Sequence, residues 1–287
     1  MQNSPYWVVF LVLVSSFLHA LWNAILKRQK NPELAVVSIT LVSATSAVAW
    51  TVLAAPPIPK TSALLWGAAA GVFEAGYFVT LAKALARAPL GVAYTVARGG
   101  ALLCIWPISV ASLGERLTRT TLFGAILVAV GIALVGLRGK KNVQHAQIRA
   151  GIAWAGVCAL FITGYHLLYK FAMDASENSA VVVVTVAFIV AGALSVAWHG
   201  RAGMANVVRD ARQSPWGIVL AGMLATASFV AFISALARGG AGAVMTLRNT
   251  SVLFAQVFAW MSGERSRPAQ VAGVVAVVVG AVLTAWT

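Results

Sequence analysis

A duplicated set of short motifs constrains this chain more than any other feature. The sequence Ala-Leu-Ala-Arg occurs at residues 84–87 and 235–238, and Gly-Glu-Arg follows at 114–116 and 263–265. Between these motifs both copies carry Gly, Thr and Arg in the same order: Gly91, Thr95 and Arg98, then Gly242, Thr246 and Arg248. The second copy follows the first by about 150 residues, which indicates an internal duplication. We predict two repeats, residues 1–140 and 141–287.

Long apolar runs define the environment of the chain. Of its 287 residues, 60% are hydrophobic and 10% are charged, whereas about 25% of the residues of a soluble domain are charged. The apolar residues form runs of about 20, the length at which a helix crosses the hydrocarbon core of a bilayer. The sequence therefore predicts an all-α, polytopic membrane protein with ten transmembrane helices.

The predicted spans place the two repeats in opposite orientations. They cover residues 6–27, 33–54, 62–83, 89–112, 118–138, 149–170, 178–198, 214–236, 241–262 and 267–286. Residues 201–213 are predicted to form a loop. Because five spans precede the joint between the repeats and five follow it, the second repeat is inverted relative to the first. This arrangement is typical of transporters with one central site.

Basic residues predict which side of the membrane each loop faces. The net charge is +14, but the cations lie in short loops and at span ends, so we expect no nucleic-acid partner. Fourteen Lys and Arg residues fall on one face of the predicted topology and five on the other. Because cytoplasmic loops carry the excess of Lys and Arg, both termini are predicted to lie outside the cytoplasm, with the chain in a cell (inner) membrane.

Motifs of nucleotide and metal chemistry are absent from the sequence. It contains no phosphate-binding Gly-x-x-x-x-Gly-Lys-Ser/Thr loop and no His-Glu-x-x-His. Cys104 and Cys158 lie within apolar runs and form no disulfide framework. We therefore expect no cofactor, no metal and no enzymatic activity.

Three charged residues fall at membrane depth: Glu74, Arg98 and Arg248. Each costs about 2.5–3.5 kcal/mol on insertion scales, and such residues face the interior of the bundle. One interpretation is a buried brace between Glu74 and Arg98, which would leave Arg248 uncompensated. The other is a substrate site, in which arginine holds a carboxylate or phosphate and Glu74 binds an amino group or takes up a proton.

Aromatic and polar residues accompany these charges at helical spacing. Trp22-Asn23-x-x-x-Lys27 closes the first span, and Tyr165-His166-x-x-x-Lys170 closes the sixth. His19, Tyr77 and Tyr94 share faces with Asn23, Glu74 and Arg98 respectively. Packing in the core is an equally ordinary role for each of them. The predicted substrate-binding residues are Glu74, Arg98, Arg248, His19, Trp22, Asn23, Tyr77, Tyr94, Tyr165 and His166.

Taken together, these motifs resemble those of the drug/metabolite transporter superfamily, specifically its ten-helix exporters built from two EamA-type repeats. The residues that carry the resemblance are the two Ala-Leu-Ala-Arg and Gly-Glu-Arg motifs, the glycines that follow them, and the Trp22-Asn23 end of the first span. The resemblance implies a secondary transporter of small metabolites with a central cavity. It also implies cytoplasmic termini, the reverse of what the charge distribution predicts.

The expected function is export of a small zwitterionic or anionic metabolite, such as an amino acid or a derivative, by alternating access. Protons are the candidate coupling ion, membrane lipid surrounds the chain, and a monomer and a homodimer are both compatible with the sequence. Efflux of cationic drug-like compounds and uptake of a small metabolite are the alternatives. An intramembrane enzyme and a non-transporting scaffold fit less well, because no nucleophile–base pair is visible and a scaffold has no need of charges at membrane depth.

Overall fold

The structure is a computed structural model that describes residues 5–113, 118–136, 143–176, 180–238 and 241–285, and these residues form an all-helical bundle. The helices are α1 (Pro5–Lys27), α2 (Pro32–Ala54), α3 (Thr61–Arg87), α4 (Leu90–Leu113), α5 (Arg119–Gly136), α6 (Val143–Ala175), α7 (Ala180–Ala211), α8 (Pro215–Leu236), α9 (Ala241–Arg248), α10 (Ser251–Met261) and α11 (Pro268–Ala285). The joint between the predicted repeats, at residues 140 and 141, and the first Gly-Glu-Arg motif, at 114–116, lie outside the described residues.

The helices account for the predicted membrane spans. In the described part of the chain, six helices are long and apolar enough to cross a bilayer: α1, α2, α3, α6, α7 and α8. Shorter apolar segments lie in α4, α5, α10 and α11. With α9 and α10 occupying one span between them, the order of helices matches the ten predicted positions, and the chain is a polytopic membrane protein.

The ninth span is not one helix, contrary to the sequence prediction. Its run 241–262 is divided into α9, which ends at Arg248, and α10, which begins at Ser251. The two residues between them form a turn, closed by hydrogen bonds from the Thr250 N–H to the Leu247 carbonyl and from the Val252 N–H to the Asn249 carbonyl. A discontinuous helix at membrane depth is a common element of transporter binding sites.

A second correction concerns residues 201–213, predicted as a loop. Helical structure continues from Arg201 to Ala211, after a kink at Gly200. Gly200 has φ 59° and ψ −176°, a conformation that is essentially restricted to glycine. Trp198 and Trp216, on either side of this segment, are both 84% exposed. Exposed tryptophans at the ends of spans are typical of the membrane–water interface.

Contacts at one end of the bundle give the relative direction of α1 and α6, the first helices of the two predicted repeats. Nζ of Lys27, the last residue of α1, donates to the carbonyl oxygens of Leu85 at 2.6 Å and Ala88 at 2.9 Å, where α3 ends. A Cβ placed on Gly151, near the start of α6, would lie 2.7 Å from the Cβ of Ala88. Thus α1 ends at the level where α6 begins, and the first helices of the two repeats run in opposite directions.

Equivalent helices of the two repeats pack against each other: α2 against α7, and α5 against α11. In the α5–α11 contact, a Cβ on Gly131 would lie 2.6 Å from the carbonyl oxygen of Gly273, and a Cβ on Gly273 would lie 2.6 Å from that of Gly131. The same helices meet again where Gly280 faces the Gly124 carbonyl. Small residues allow this backbone contact, which is a usual way of joining helices in lipid.

Candidate functional site

The three charged residues predicted at membrane depth are all buried in the bundle. Glu74 in α3 is 0% exposed, Arg98 in α4 is 3% exposed and Arg248 at the end of α9 is 1% exposed. The ion pairs among the described residues, Arg87–Glu33 and Lys170–Asp174, are at the ends of helices. The brace between Glu74 and Arg98 that the sequence allowed is therefore not formed, and neither arginine has its charge neutralised by a direct carboxylate partner.

Glu74 instead interacts with a residue of the second repeat. The hydroxyl of Tyr169, in α6, donates to Oε1 of Glu74 at 2.6 Å. The other oxygen, Oε2, is buried and accepts no hydrogen bond. This contact follows from the helix packing: α3 packs closely against α6 of the second repeat and makes few contacts with α4, its neighbour along the chain.

Arg248 is held by several side chains of α1 and α8. Its Nη1 donates to the Ser15 hydroxyl at 2.7 Å, and its Nη2 lies 3.3 Å from Nδ1 of His19. The guanidinium carbon lies 3.7 Å from the centre of the Phe232 ring, within the range of a cation–π interaction. Both terminal nitrogens of Arg248 therefore have protein partners.

His19 is the residue around which this cluster is organised. Its Nδ1 lies 3.3 Å from Nε1 of Trp22 and 3.3 Å from Nη2 of Arg248. Tryptophan and arginine nitrogens only donate, so Nδ1 of His19 is an acceptor and the ring hydrogen is on Nε2. That nitrogen lies 3.1 Å from the Tyr77 hydroxyl, which therefore accepts from it.

The predicted aromatic residues form a continuous series of ring contacts across both repeats. Ring centres are 5.4 Å apart for Trp22 and His19, 6.4 Å for His19 and Tyr77, 5.4 Å for Tyr77 and Tyr165, and 4.6 Å for Tyr165 and His166. Aromatic pairs at these separations interact favourably beyond the burial of their area. The series crosses from α1 through α3 to α6.

The last two predicted residues have different surroundings. Tyr94 lies under Arg98, whose guanidinium carbon is 5.6 Å from the centre of its ring. Asn23 uses its amide nitrogen within its own helix, donating to the His19 carbonyl at 2.6 Å, so it is attached to the cluster through the backbone of α1. The structure thus brings all ten predicted residues into the interior. Eight of them make their side-chain contacts around the two arginines and the ring series, while Glu74 contacts Tyr169 and Asn23 bonds within α1.

A small cavity lies beside Arg98, between α4, α6 and the α9–α10 turn. Its volume is about 20 Å³, counted as the space open to the centre of a water molecule, which is enough for one water-sized group. Its lining residues are Arg98, Ala101, Leu102, Ile105, Ile162, His166, Met245 and Asn249. Nη2 of Arg98 and Nε2 of His166 are both buried and have no hydrogen-bond partner.

Sequence reasoning missed Ser15, Tyr169 and Asn249. Ser15 lies four residues before His19, and Tyr169 four residues after Tyr165, so helical spacing alone places each on the face of a predicted residue. Asn249 directly follows Arg248, but a single apolar run gave no indication that the helix ends there. Helical spacing could therefore have identified Ser15 and Tyr169, whereas nothing in the sequence pointed to Asn249.

Comparison with known proteins identifies the class to which this arrangement belongs. Residues 149–286 match the sequence profile of the EamA-like transporter family. The second half of the chain is an EamA-like transporter domain. The resemblance to the drug/metabolite transporter superfamily, drawn above from the motifs, is thereby confirmed.

The fold of the whole chain also has a known counterpart. A protein of known crystal structure superposes with a TM-score of 0.64 over 99% of this chain and 98% of that one, at 20% sequence identity. At that identity the likeness concerns the fold alone, and it covers both halves of the chain. No curated protein sequence matches the chain. Of the ten candidate residues, Tyr165, His166 and Arg248 lie within the matched range 149–286, and the other seven lie in the first half.

Proposed function

We propose that the protein is a secondary active transporter that exports a small metabolite bearing a carboxylate or phosphate, such as an amino acid or a derivative, by alternating access. The observation that carries this proposal is the charge at the centre of the bundle. Among the residues that the structure describes, Arg98 and Arg248 are buried without a direct carboxylate partner, and Glu74 is the one buried carboxylate. An interior with surplus positive charge attracts an anionic group, which would compensate the cost of burying it.

The surrounding atoms support a polar ligand rather than a permanently closed core. Buried polar groups in native structures are normally hydrogen-bonded, yet Glu74 Oε2, Arg98 Nη2, Tyr165 OH, His166 Nε2 and Arg248 Nε have no partner. These atoms include both acceptors and donors. A zwitterion, with an ammonium group for Glu74 and a carboxylate for an arginine, would use both kinds.

Alternating access follows from the inverted repeats. Two copies of one unit in opposite orientation can exchange conformations, so that a site between them opens first to one side and then to the other. Protons are the proposed coupling ion, with Glu74 as the group that carries them. We propose a location in the cell (inner) membrane with both termini outside the cytoplasm, and a monomer or a homodimer as the functional unit.

Efflux of cationic drug-like compounds is the second candidate. The free Oε2 of Glu74 and the aromatic rings around it favour a cation, because carboxylates and ring faces both attract positive charge. The two buried arginines oppose it. Import of a metabolite would use the same site and differs from export in direction alone.

Transport by purified protein in liposomes tests the proposal. Radiolabelled amino acids, organic anions and organic cations are supplied to wild type and to the variants Glu74→Gln, Arg98→Gln and Arg248→Ala, with Arg238→Gln as a control because Arg238 is exposed. We expect transport of an anionic or zwitterionic compound that falls at least tenfold in the three site variants and is unchanged in the control. Unaltered transport by both Glu74→Gln and Arg248→Ala would refute the site.

A further inference from the structure

The two buried arginines differ in how far the protein itself satisfies them. Arg248 has partners on both terminal nitrogens, Ser15 and His19, and a ring face against its guanidinium. Arg98 has Nη2 free, although it is almost as deeply buried. Arg248 keeps only Nε without a partner, whereas Arg98 has a terminal nitrogen free, so the two residues differ in the donors that they can offer a ligand.

Arg98 borders the small cavity together with a second residue that has an unsatisfied polar atom. His166 borders the same cavity, is 6% exposed, and has Nε2 without a partner. Asn249, also 6% exposed, lines the cavity from the α9–α10 turn, with its amide nitrogen donating to the Met245 carbonyl. Three polar side chains from three helical segments thus converge on one space.

The remainder of the cavity wall is aliphatic. Leu102 and Ile105 follow Arg98 along α4, Ile162 precedes His166 in α6, and Met245 precedes Asn249 in α9. Each polar residue is therefore accompanied, about one turn away, by an aliphatic residue on the same face. The wall of the cavity therefore alternates polar and aliphatic side chains.

The break in the ninth span adds a further attraction for an anion. α10 begins at Ser251, two residues after Asn249, and has 11 residues. The first N–H groups of a helix carry partial positive charge, and helix starts in the interior of transporters are used to bind substrate carboxylates. The Ser251 hydroxyl is itself buried without a partner.

We propose that Arg98, together with His166 and Asn249, binds the carboxylate of a substrate whose short aliphatic chain lies against Leu102, Ile105, Ile162 and Met245 once these side chains move apart, since the cavity in this structure holds one water-sized group. Arg248 is in this arrangement a structural residue that joins α9 to α1 and α8. The inference rests on the proposed function and deepens it, since it assigns the anionic group to one of the two arginines and selects an aliphatic carboxylate over a phosphate. A phosphate would bring close to two negative charges to a space with one free guanidinium.

Binding to the purified full-length protein tests this assignment. The probes are 4-methylpentanoate, the amine of the same carbon skeleton, and inorganic phosphate, each titrated while the thermal unfolding midpoint is followed, because a ligand stabilises the state that it binds. We expect the carboxylate to raise the midpoint of wild type, and the amine and phosphate to leave it unchanged. Arg98→Gln should raise the Kd for the carboxylate at least tenfold, and Arg98→Lys should raise it less.

Two further variants keep the test decisive if Arg98→Gln does not fold. Met245→Phe narrows the cavity without altering charge, and we expect it to abolish carboxylate binding. Arg248→Gln should lower the midpoint of the free protein and raise the Kd less than Arg98→Gln does, while Arg238→Gln, at an exposed position, should leave both unchanged. Carboxylate binding that is lost with Arg248→Gln and kept with Arg98→Gln or Met245→Phe overturns the assignment and leaves the proposed function standing. Binding of the amine in place of the carboxylate overturns both the assignment to Arg98 and the proposed function. Binding of phosphate alone overturns the choice of a carboxylate as the ligand.

Discussion

The carboxylate of Glu264 accepts a hydrogen bond from the backbone N–H of Leu90, with 3.0 Å between Oε1 and the nitrogen. Leu90 is the first residue of α4, and Glu264 belongs to the Gly-Glu-Arg motif that follows α10. A side chain of the second repeat therefore caps a helix of the first, where a negative charge is favoured by the helix dipole. The motif that exposes the duplication in the sequence thus also links its two copies.

Replacing Glu264 by Ala should destabilise the protein through loss of this cap. Removal of a capping side chain costs about 0.5–2 kcal/mol, and we expect the thermal unfolding midpoint in detergent to fall by a few degrees. Glu33→Ala is the matched control, because Glu33 pairs with Arg87 in a partly exposed position, where ion pairs contribute little. Equal midpoints for the two variants would show that the Leu90 contact does not matter.

The backbone contact between α5 and α11 predicts strong sensitivity at Gly131. In Gly131→Ala the new Cβ would lie 2.6 Å from the Gly273 carbonyl oxygen, so the helices must separate, at a cost of about 1–3 kcal/mol. Gly156→Ala is the control, since no atom lies within 4 Å of a Cβ at that position. There the better helix propensity of Ala should leave the midpoint unchanged or raise it. A Gly131→Ala protein as stable as Gly156→Ala would contradict the close packing.

Glu74→Gln should reduce transport without lowering the stability of the protein. The Gln side chain retains an oxygen that can accept from Tyr169, so the contact of 2.6 Å persists while the charge and the proton-binding capacity are lost. We expect an unfolding midpoint at least equal to that of wild type, because a carboxylate buried without an ion-pair partner is replaced by a neutral amide, and at least tenfold slower transport in liposomes. Tyr169→Phe provides the contrast, since it leaves the carboxylate without a donor and should lower the midpoint. Wild-type transport rates in Glu74→Gln would exclude Glu74 as the proton carrier.

Lys27 and Lys170 occupy corresponding places in the two repeats but should respond differently to replacement by Met. Lys27 donates to two carbonyl oxygens at the end of α3, and hydrogen bonds of charged groups contribute about 1.5–3 kcal/mol each. Lys170 pairs with Asp174, whose side chain is largely exposed. We therefore expect Lys27→Met to lower the unfolding midpoint by several degrees and Lys170→Met to leave it nearly unchanged. The reverse order would mean that the α1–α3 contact is dispensable.

The distribution of basic residues predicts that both termini lie outside the cytoplasm. Alkaline phosphatase fused to the C-terminus should be active, because it matures only outside, and green fluorescent protein at the same place should remain dark. A fusion at residue 30, on the face with the excess of Lys and Arg, should give the opposite pair of results. Fluorescence from the C-terminal fusion would reverse the orientation and leave the interior site where it is.

The sequence was sufficient for the class of fold and for the depth of the site residues. Charged and aromatic residues within apolar runs have few places to lie other than the interior, and all ten candidates are buried. The partner of Glu74 could not be predicted in the same way. Arg98 is the nearer cation along the chain, but α3 packs more closely on α6 than on α4, so Tyr169 of the other repeat makes the contact.

The two errors in secondary structure have a common physical origin. The turn at Asn249 and Thr250 contains no Pro or Gly, and the helix ends there through tertiary contacts that local propensity does not describe. Conversely, the polar composition of 201–213 indicated a loop, yet a helix needs no long apolar run when it is not crossing the bilayer. Both predictions relied only on the period and length of the apolar runs, which report neither a turn inside an apolar run nor a polar helix outside the bilayer.

The mutual contact of Gly131 with Gly273 has a consequence for how the two halves can change over time. Each glycine packs against the backbone of the other. A larger residue at one position cannot be accommodated by a smaller residue at the other, because glycine is already the smallest. A chimera in which one half comes from a distant relative should therefore not fold stably unless the donor half also has glycine at this position. At this contact the two predicted repeats therefore depend on each other's shape.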